Sequence, residues 1–328
     1  MKFDPNLDEV HLLDGSDGLP KSCHRFERRD VHAVQAAMAC RRPLLVRGEP
    51  GIGKSQLARA AASVMKVPFL HYTMTAESEC RDLLYSFDAV ERLAQAQVLS
   101  RVGEAASWRQ DLATERFVLP GVLWWALNWT SATAQCKAFF GDDEKRAQSQ
   151  VPLTPKDWRP AQGAVLLIDE IDKADGDVPN ALLESLGSFS FAVPEAATRV
   201  GLAEGCPAPL VVITTNEERE LPRAFLRRCL VLQMEFDRKL MLDRGKDHFG
   251  DAIDPDVYVA AADQLEKDRG EAPRFGPVTP GLAEYLDLLR ILEQRKGKEA
   301  QLERLGQVRD FVGAKNPKQH RRDQVSGA

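Results

Sequence analysis

Gly48-Glu49-Pro50-Gly51-Ile52-Gly53-Lys54-Ser55 has the spacing G-x-x-x-x-G-K-S, and its flanks decide how it reads. Pro43-Leu44-Leu45-Val46-Arg47 precedes it, a short apolar run with the length of a buried strand. Gln56-Leu57-Ala58-Arg59-Ala60-Ala61-Ala62 follows it, a run of good helix formers. Strand, glycine-rich turn and helix is the setting in which such a loop cradles phosphates. Glycines let the backbone turn its N–H groups inward, and the start of the helix adds unpaired donors and the positive end of its dipole. In that setting Lys54 reaches the β- and γ-phosphates, and the Ser55 hydroxyl can ligate Mg²⁺.

Three further runs follow in order. Ala164-Val165-Leu166-Leu167-Ile168 leads straight into Asp169-Glu170. A continuous apolar run suits a central parallel strand buried on both faces, and acids at its C-terminal end sit where α/β sheets bind ligands. Two readings stand: Asp169 holds Mg²⁺ through its water shell while Glu170 orients or polarises a water, or the strand ends in a solvated acidic turn. Leu210-Val211-Val212-Ile213-Thr214-Thr215-Asn216 is a second apolar strand with a polar end. Asn216 is either a phosphate- or water-aligning amide or a turn former. In Leu221-Pro222-Arg223-Ala224-Phe225-Leu226-Arg227-Arg228-Cys229, proline suits a first helical turn. Its two terminal arginines either complement a helix C-terminus or project across a subunit boundary to a neighbour's γ-phosphate.

These four runs, in this order, resemble the AAA+ ATPases: Gly48–Ser55 looks like Walker A, Asp169-Glu170 like Walker B, Asn216 like sensor 1 and Arg227-Arg228 like the arginine-finger box. Val165–Ala174, Pro179–Glu184 and Asn216–Pro222 resemble more closely the MoxR-like, dynein-related branch. The resemblance covers about residues 25–240 well and the rest loosely. It implies an α/β P-loop NTPase, a three-layer sandwich around a parallel five-stranded sheet, with a small C-terminal α-helical lid. It implies hydrolysis of ATP to ADP and phosphate, with Mg²⁺. Gly48, Glu49, Pro50, Gly51, Ile52, Gly53, Lys54, Ser55, Gln56 and Asp169 would bind the nucleotide, and Ser55 and Asp169 the metal. Glu170 would act on the water, Asn216 would align it, and Arg228 or Arg227 would complete a neighbour's site in a ring homo-oligomer, a hexamer by resemblance. The lid should carry a basic residue that touches the nucleotide. Arg274, in Pro273–Pro280, is the candidate, with a solvated loop arginine as the other reading. The output expected from the branch is remodelling or activation of a partner protein, a von Willebrand-type domain protein being typical. The alternative is a nucleic-acid-dependent motor or nuclease-regulating ATPase.

Composition narrows the class. With 328 residues, 44% hydrophobic and 28% charged, the chain has the make-up of an ordinary globular protein of about two domains. A net charge of −5 argues against a dedicated nucleic-acid binder. Cys23, Cys40, Cys80, Cys136, Cys206 and Cys229 are scattered, with no C-x-x-C pair, as expected of reduced thiols in a cytoplasmic protein. Met1-Lys2-Phe3-Asp4-Pro5 has no apolar stretch of the kind that opens a signal peptide. No apolar run approaches the ~20 residues of a membrane span, so no membrane partner is expected. The six histidines show no metal spacing.

Along the chain, residues 1–24 read as a polar N-terminal arm and 25–236 as the ATPase core. The core carries an insertion at about 74–160, a helical lid spans 237–311, and 312–328 read as a flexible basic tail. Within the core, Val31–Cys40 reads as a helix, Val67–Thr73 and Cys229–Phe236 as strands, and Gly187–Pro194 with Arg199–Leu202 as a hairpin. The lid helix reads as starting at Thr279-Pro280, a cap followed by proline. All five tryptophans (Trp108, Trp124, Trp125, Trp129, Trp158) fall in the insertion. Phe117–Leu127 around Trp124-Trp125 reads either as a buried helix that anchors the insertion or as part of a contact surface.

Overall fold

The computed structural model describes residues 2–15, 19–102, 112–141, 143–275 and 279–312. In chain order its elements begin with β1 (His11–Leu13), β2 (Ser22–His24), α1 (Arg28–Cys40), β3 (Leu44–Arg47), α2 (Lys54–Met65) and β4 (Phe69–Thr73). The insertion holds α3 (Cys80–Leu84), β5 (Tyr85–Phe87), α4 (Ala89–Val102), β6 (Val118–Pro120), α5 (Val122–Leu127), α6 (Trp129–Phe140) and α7 (Glu144–Gln150). There follow β7 (Val165–Asp169), α8 (Asp177–Ser188), β8 (Ser190–Val193), β9 (Thr198–Gly201), β10 (Leu210–Thr215), α9 (Arg223–Arg228) and β11 (Leu230–Gln233). The C-terminal helices are α10 (Arg238–Phe249), α11 (Pro255–Phe275), α12 (Leu282–Leu292) and α13 (Lys298–Val312).

A five-stranded sheet runs in the order β11-β3-β10-β7-β4. β10 lies parallel to both β3 and β7, and β7 parallel to β4. All six residues of β10 are buried, as are the first four of β7 and the first three of β3. Strands covered on both faces need such unbroken apolar runs, which is why these three were legible as strands. The register sets Ile213 beside Ile168, so Asp169 and Thr214 come next at the C-terminal ends of two neighbouring strands.

By their contacts the described residues form two compact units, those within Met1–Leu7, Phe26–Arg47 and Leu57–Leu232 in one, those within Asp8–Arg25, Gly48–Gln56 and Gln233–Ala328 in the other. In the first, β5 and β6 form an antiparallel pair and α5 is buried throughout from Leu123 to Leu127. Phe117–Leu127 is therefore not one helix. It passes from strand β6 to helix α5 at Gly121, whose N–H donates to the Leu84 carbonyl at 2.9 Å. A Cβ on Gly121 would lie 2.5 Å from the Leu83 carbonyl oxygen, too close for any residue but glycine. Gly121→Ala is accordingly expected to cost roughly 1–3 kcal/mol, as overpacking against backbone does. The measurement is thermal unfolding, and an unchanged Tm would mean that this approach relaxes freely.

The tryptophans serve as anchors. Trp124 and Trp125 are 3% and 4% exposed. The Trp124 indole N–H donates to Ser131 Oγ at 2.8 Å, and its ring meets Phe191 of the β8–β9 hairpin edge-on. Trp125, Trp129 and Trp158 form a T-shaped ladder with centroids 5.0 and 4.6 Å apart. Such pairs add about 0.5–1.5 kcal/mol each beyond area burial; the ladder ties the insertion's own elements together, and the Trp124–Phe191 contact ties it to the hairpin. Trp108 and residues 313–328 of the expected tail lie outside the described residues.

In the second unit, residues 8–25 hold a two-stranded antiparallel ladder pairing His11 with His24, within the stretch that reads as a polar arm. The helices α10–α13 share a core of Met241, Tyr258, Leu265, Tyr285 and Leu289. α12 begins at Leu282, with Gly281 as its cap, two residues after the expected Pro280. The Gly281 N–H is bonded by Glu284 at 2.8 Å, while the Pro280 carbonyl accepts from Arg269. Among the described residues no helix is long and apolar enough to cross a membrane.

Candidate active site

At the ends of β7 and β10 the structure brings together Asp169, Glu170 and Asn216. The hub is Thr214, fully buried. Its hydroxyl donates to Asp169 Oδ1 and accepts the Glu170 N–H at 2.9 Å. One hydroxyl thus uses its single donor and one acceptor site to fix both acids. Glu170 stands at φ 58°, in the left-handed region that costs a non-glycine residue about 1 kcal/mol or more. The turn directs its carboxylate so that Oε1 accepts from Asn216 Nδ2 at 3.1 Å and Oε2 from Lys173 Nζ at 2.6 Å. The Glu170 hydrogen bond, more than any other effect, holds the Lys173 ammonium above its ordinary pKa, so it stays charged. Asp172, 3% exposed, accepts the backbone N–H groups of Asn216 (3.4 Å) and Glu218 (3.0 Å) and so ties the turn after β10 to the one after β7.

Thr214, Asp172 and Lys173 were not singled out in the sequence. One signal for Thr214 existed: it is the first polar residue in an otherwise apolar strand. Asp172 and Lys173 lie in the quoted stretch Val165–Ala174; the partners of Asp172 lie 44 and 46 residues away, with no local mark, whereas the opposite charges of Glu170 and Lys173 stand three residues apart and were a signal.

The glycine-rich loop leaves β3 and enters α2. Gly48, Gly51 and Gly53 have φ of 148°, 76° and 105°. A Cβ on Gly48 would lie 2.7 Å from the Met234 carbonyl oxygen, whereas one on Gly53 would meet nothing within 4 Å. The loop is thus packed at Gly48 and at Gly51, where a Cβ would lie 2.7 Å from Ala283 Cβ, and open at Gly53. Lys54, 6% exposed, donates to the Gly48 carbonyl at 2.7 Å and the Glu49 carbonyl at 2.9 Å. The Glu49 side chain is taken up by Arg269 of α11 in a two-pronged pair, both bonds 2.9 Å. Arg269 also donates to the Pro280 carbonyl at 2.6 Å and lies 4.2 Å over the Phe236 ring. Its fork, stacked and doubly bonded, gives this contact geometry that a lysine cannot reproduce. Pro50, Ile52, Ser55 and Gln56 complete the stretch, with Ile52 buried.

Arg227 and Arg228 end α9 with exposed side chains, neither in an ion pair among the described residues. Phe225 of the same helix is fully buried. Arg274 falls in the last turn of α11 and not in a loop before α12; its side chain lies outside the described residues. Arg269, one turn and a residue earlier, is the described arginine of α11 that reaches the loop. Among the described residues no group of three or more His, Cys, Asp or Glu side chains forms a metal cluster.

A family model described as the AAA domain of the dynein-related subfamily matches residues 43–229. A comparison with curated proteins gives no match. Among similar solved structures is the RuvB Holliday junction branch migration motor of Thermotoga maritima, at 14% identity and a TM-score of 0.42, covering 86% of this chain and 67% of that one. A point mutant of the same RuvB gives 14% identity and 0.43, covering 86% and 68%. A protein of Cytophaga hutchinsonii assigned as an ATPase gives 13% identity and 0.37, covering 86% and 79%.

Proposed function

The chain belongs to the dynein-related subfamily of AAA domains and is an ATPase, and from that premise we propose that it works as a MoxR-like ring that couples Mg·ATP hydrolysis to remodelling of a partner protein. The observation that carries the catalytic part is the hydrogen-bonded set Asp169–Thr214–Glu170–Asn216 on adjacent strand ends. Phosphoryl transfer to water needs positioning and charge neutralisation more than covalent chemistry. Lys54 and the N–H groups of Gly51–Ser55 supply the cradle for the phosphates. The Ser55 hydroxyl and the Asp169 carboxylate are hard oxygen donors. That suits Mg²⁺, which takes few protein ligands, keeps several waters and neutralises charge on the phosphates. Thr214 holds Asp169 in place. Asn216 turns Glu170 toward the water that Glu170 orients or polarises.

The Lys173 contact opposes that last role, because its ammonium occupies Glu170 Oε2, which would otherwise be open to the water. The pair is partly exposed, with side chains 42% and 28% accessible, so it holds the carboxylate by no more than about 1 kcal/mol. Lys173→Ala is therefore expected to raise basal phosphate release up to about fivefold, the factor that this energy represents. A fall in turnover would make Lys173 part of the hydrolytic apparatus.

The exposed ends of Arg227 and Arg228 support assembly, since one of them is free to meet a neighbour's γ-phosphate. We place the ring, a hexamer, in the cytoplasm, where the six free thiols of each chain stay reduced. Particle mass measured with and without Mg·ATP, alongside phosphate release, tests this. Turnover by a protein that stays monomeric at every concentration would contradict it. Capture of a von Willebrand-type domain protein on the ATP-bound ring would support the remodelling role. A steep, salt-sensitive stimulation by DNA or RNA would favour a nucleic-acid motor instead.

A further inference from the structure

The three carbonyls at the end of α9 share one cation. Arg42, in the turn between α1 and β3, donates through Nε to the Arg228 carbonyl at 2.9 Å and through Nη2 to the carbonyls of Arg227 and, at 3.3 Å, Cys229. Its own backbone is fixed: its N–H donates to the Ala37 carbonyl at 3.1 Å, after Arg41 has turned into the left-handed region at φ 52°. Beside it the Leu230 N–H donates to the Pro43 carbonyl at 2.9 Å. The turn before β3 and the turn before β11 are thus locked together, with the guanidinium fork of Arg42 as the clasp.

α9 needs such a clasp. It has six residues, too few to hold a helix by its own hydrogen bonds, and its last carbonyls have no partner within it. Phe225 anchors the middle of the helix. Between the buried Phe225 and Cys229, the Arg42 side chain holds the carbonyls of the stretch from which the exposed Arg227 and Arg228 leave the surface. Only arginine presents several donors in one rigid plane to three successive carbonyls, and its charge also complements the helix C-terminus.

We propose that Arg42 is a positioning residue for the arginine pair Arg227–Arg228: it sets the end of α9 from which they project, and through it their meeting with a neighbouring subunit's phosphate. This rests on the reading that one of the pair completes that neighbour's site. Arg42 touches no nucleotide in this account and acts through the α9 carbonyls alone.

The test uses Arg42→Met, which keeps the length and loses the fork, and Arg42→Lys, which keeps one charge and can hold fewer carbonyls. Both are assayed in the full chain after thermal melts confirm folding. A displacement of about 1 Å at a reacting group costs about 100-fold in rate. Arg42→Met should therefore lower kcat by about 10- to 100-fold with KM for ATP unchanged, and Arg42→Lys should fall between it and the unmodified protein. Mixed with Lys54→Ala subunits, Arg42→Met should recover turnover, because an intact loop from one subunit then meets well-placed arginines from the other. A subunit damaged in its own nucleotide site would gain nothing from that mixing. If Arg228→Ala and Arg227→Ala are inactive while both Arg42 variants keep full kcat, or if Arg42→Met is not rescued, the positioning role is wrong. If Arg42→Met does not fold, the same two outcomes are read from Arg42→Lys. Full activity in both finger variants would instead overturn the reading on which the proposal rests.

Discussion

Glu170→Gln leaves ATP bound at near-normal affinity and lowers phosphate release by about 10²- to 10⁴-fold, the range that a positioned acid–base group contributes. The amide keeps the shape of the side chain and can still accept from Asn216 Nδ2, the contact that stands at 3.1 Å. What it loses is the charge that acts on water, together with the ion pair to Lys173. That pair is partly exposed, so its loss costs at most about 1 kcal/mol and does not unfold the chain. Binding is read from a fluorescent ATP analogue and turnover from released phosphate. Hydrolysis at the unmodified rate would remove Glu170 from the assigned role.

Arg228→Ala is expected to bind ATP as before and to lose turnover by about 10³-fold or more, as removal of an arginine finger does. The loss should appear in kcat, since the side chain is exposed on its own subunit and makes no ion pair among the described residues there. Stability should hardly change for the same reason. Arg227→Ala decides between the two: the finger is whichever substitution abolishes turnover. Equal, mild effects from both would assign the arginines to the helix C-terminus alone, the other reading that the sequence allowed.

What could be read in advance was what repeats locally. Leu44–Arg47, Val165–Asp169 and Leu210–Thr215 are continuous apolar runs because the sheet buries both faces, and the loop at Gly48 carries its spacing in eight residues. Apart from Lys173, three residues from Glu170, the partners that orient these groups were not legible, because their contacts join distant positions. Thr214 meets Glu170 across 44 residues, Arg42 meets Arg228 across 186, and Arg269 meets Glu49 across 220. The β1–β2 ladder has three residues a strand, too short for an alternation to register. Phe117–Leu127 carried an apolar pattern that suits a helix, but the close approach of Leu83 to Gly121 turns its first part into a strand. At Thr279-Pro280 the local signal was that of a helix start. The bond from Arg269 to the Pro280 carbonyl and the Glu284 carboxylate on the Gly281 N–H move the start on by two residues.

In the ring proposed here, a loop on one subunit and an arginine on another make one hydrolytic site. Turnover in mixtures of Lys54→Ala and Arg228→Ala subunits tests this shared site. Each variant alone should be inactive, the first for want of a phosphate-binding cation and the second for want of a finger. In a mixed oligomer, the intact loop of the Arg228→Ala subunit faces the intact Arg228 of its Lys54→Ala neighbour, and phosphate release should reappear with a maximum at intermediate ratios. Mixed oligomers of confirmed composition that stay inactive at every ratio would contradict it.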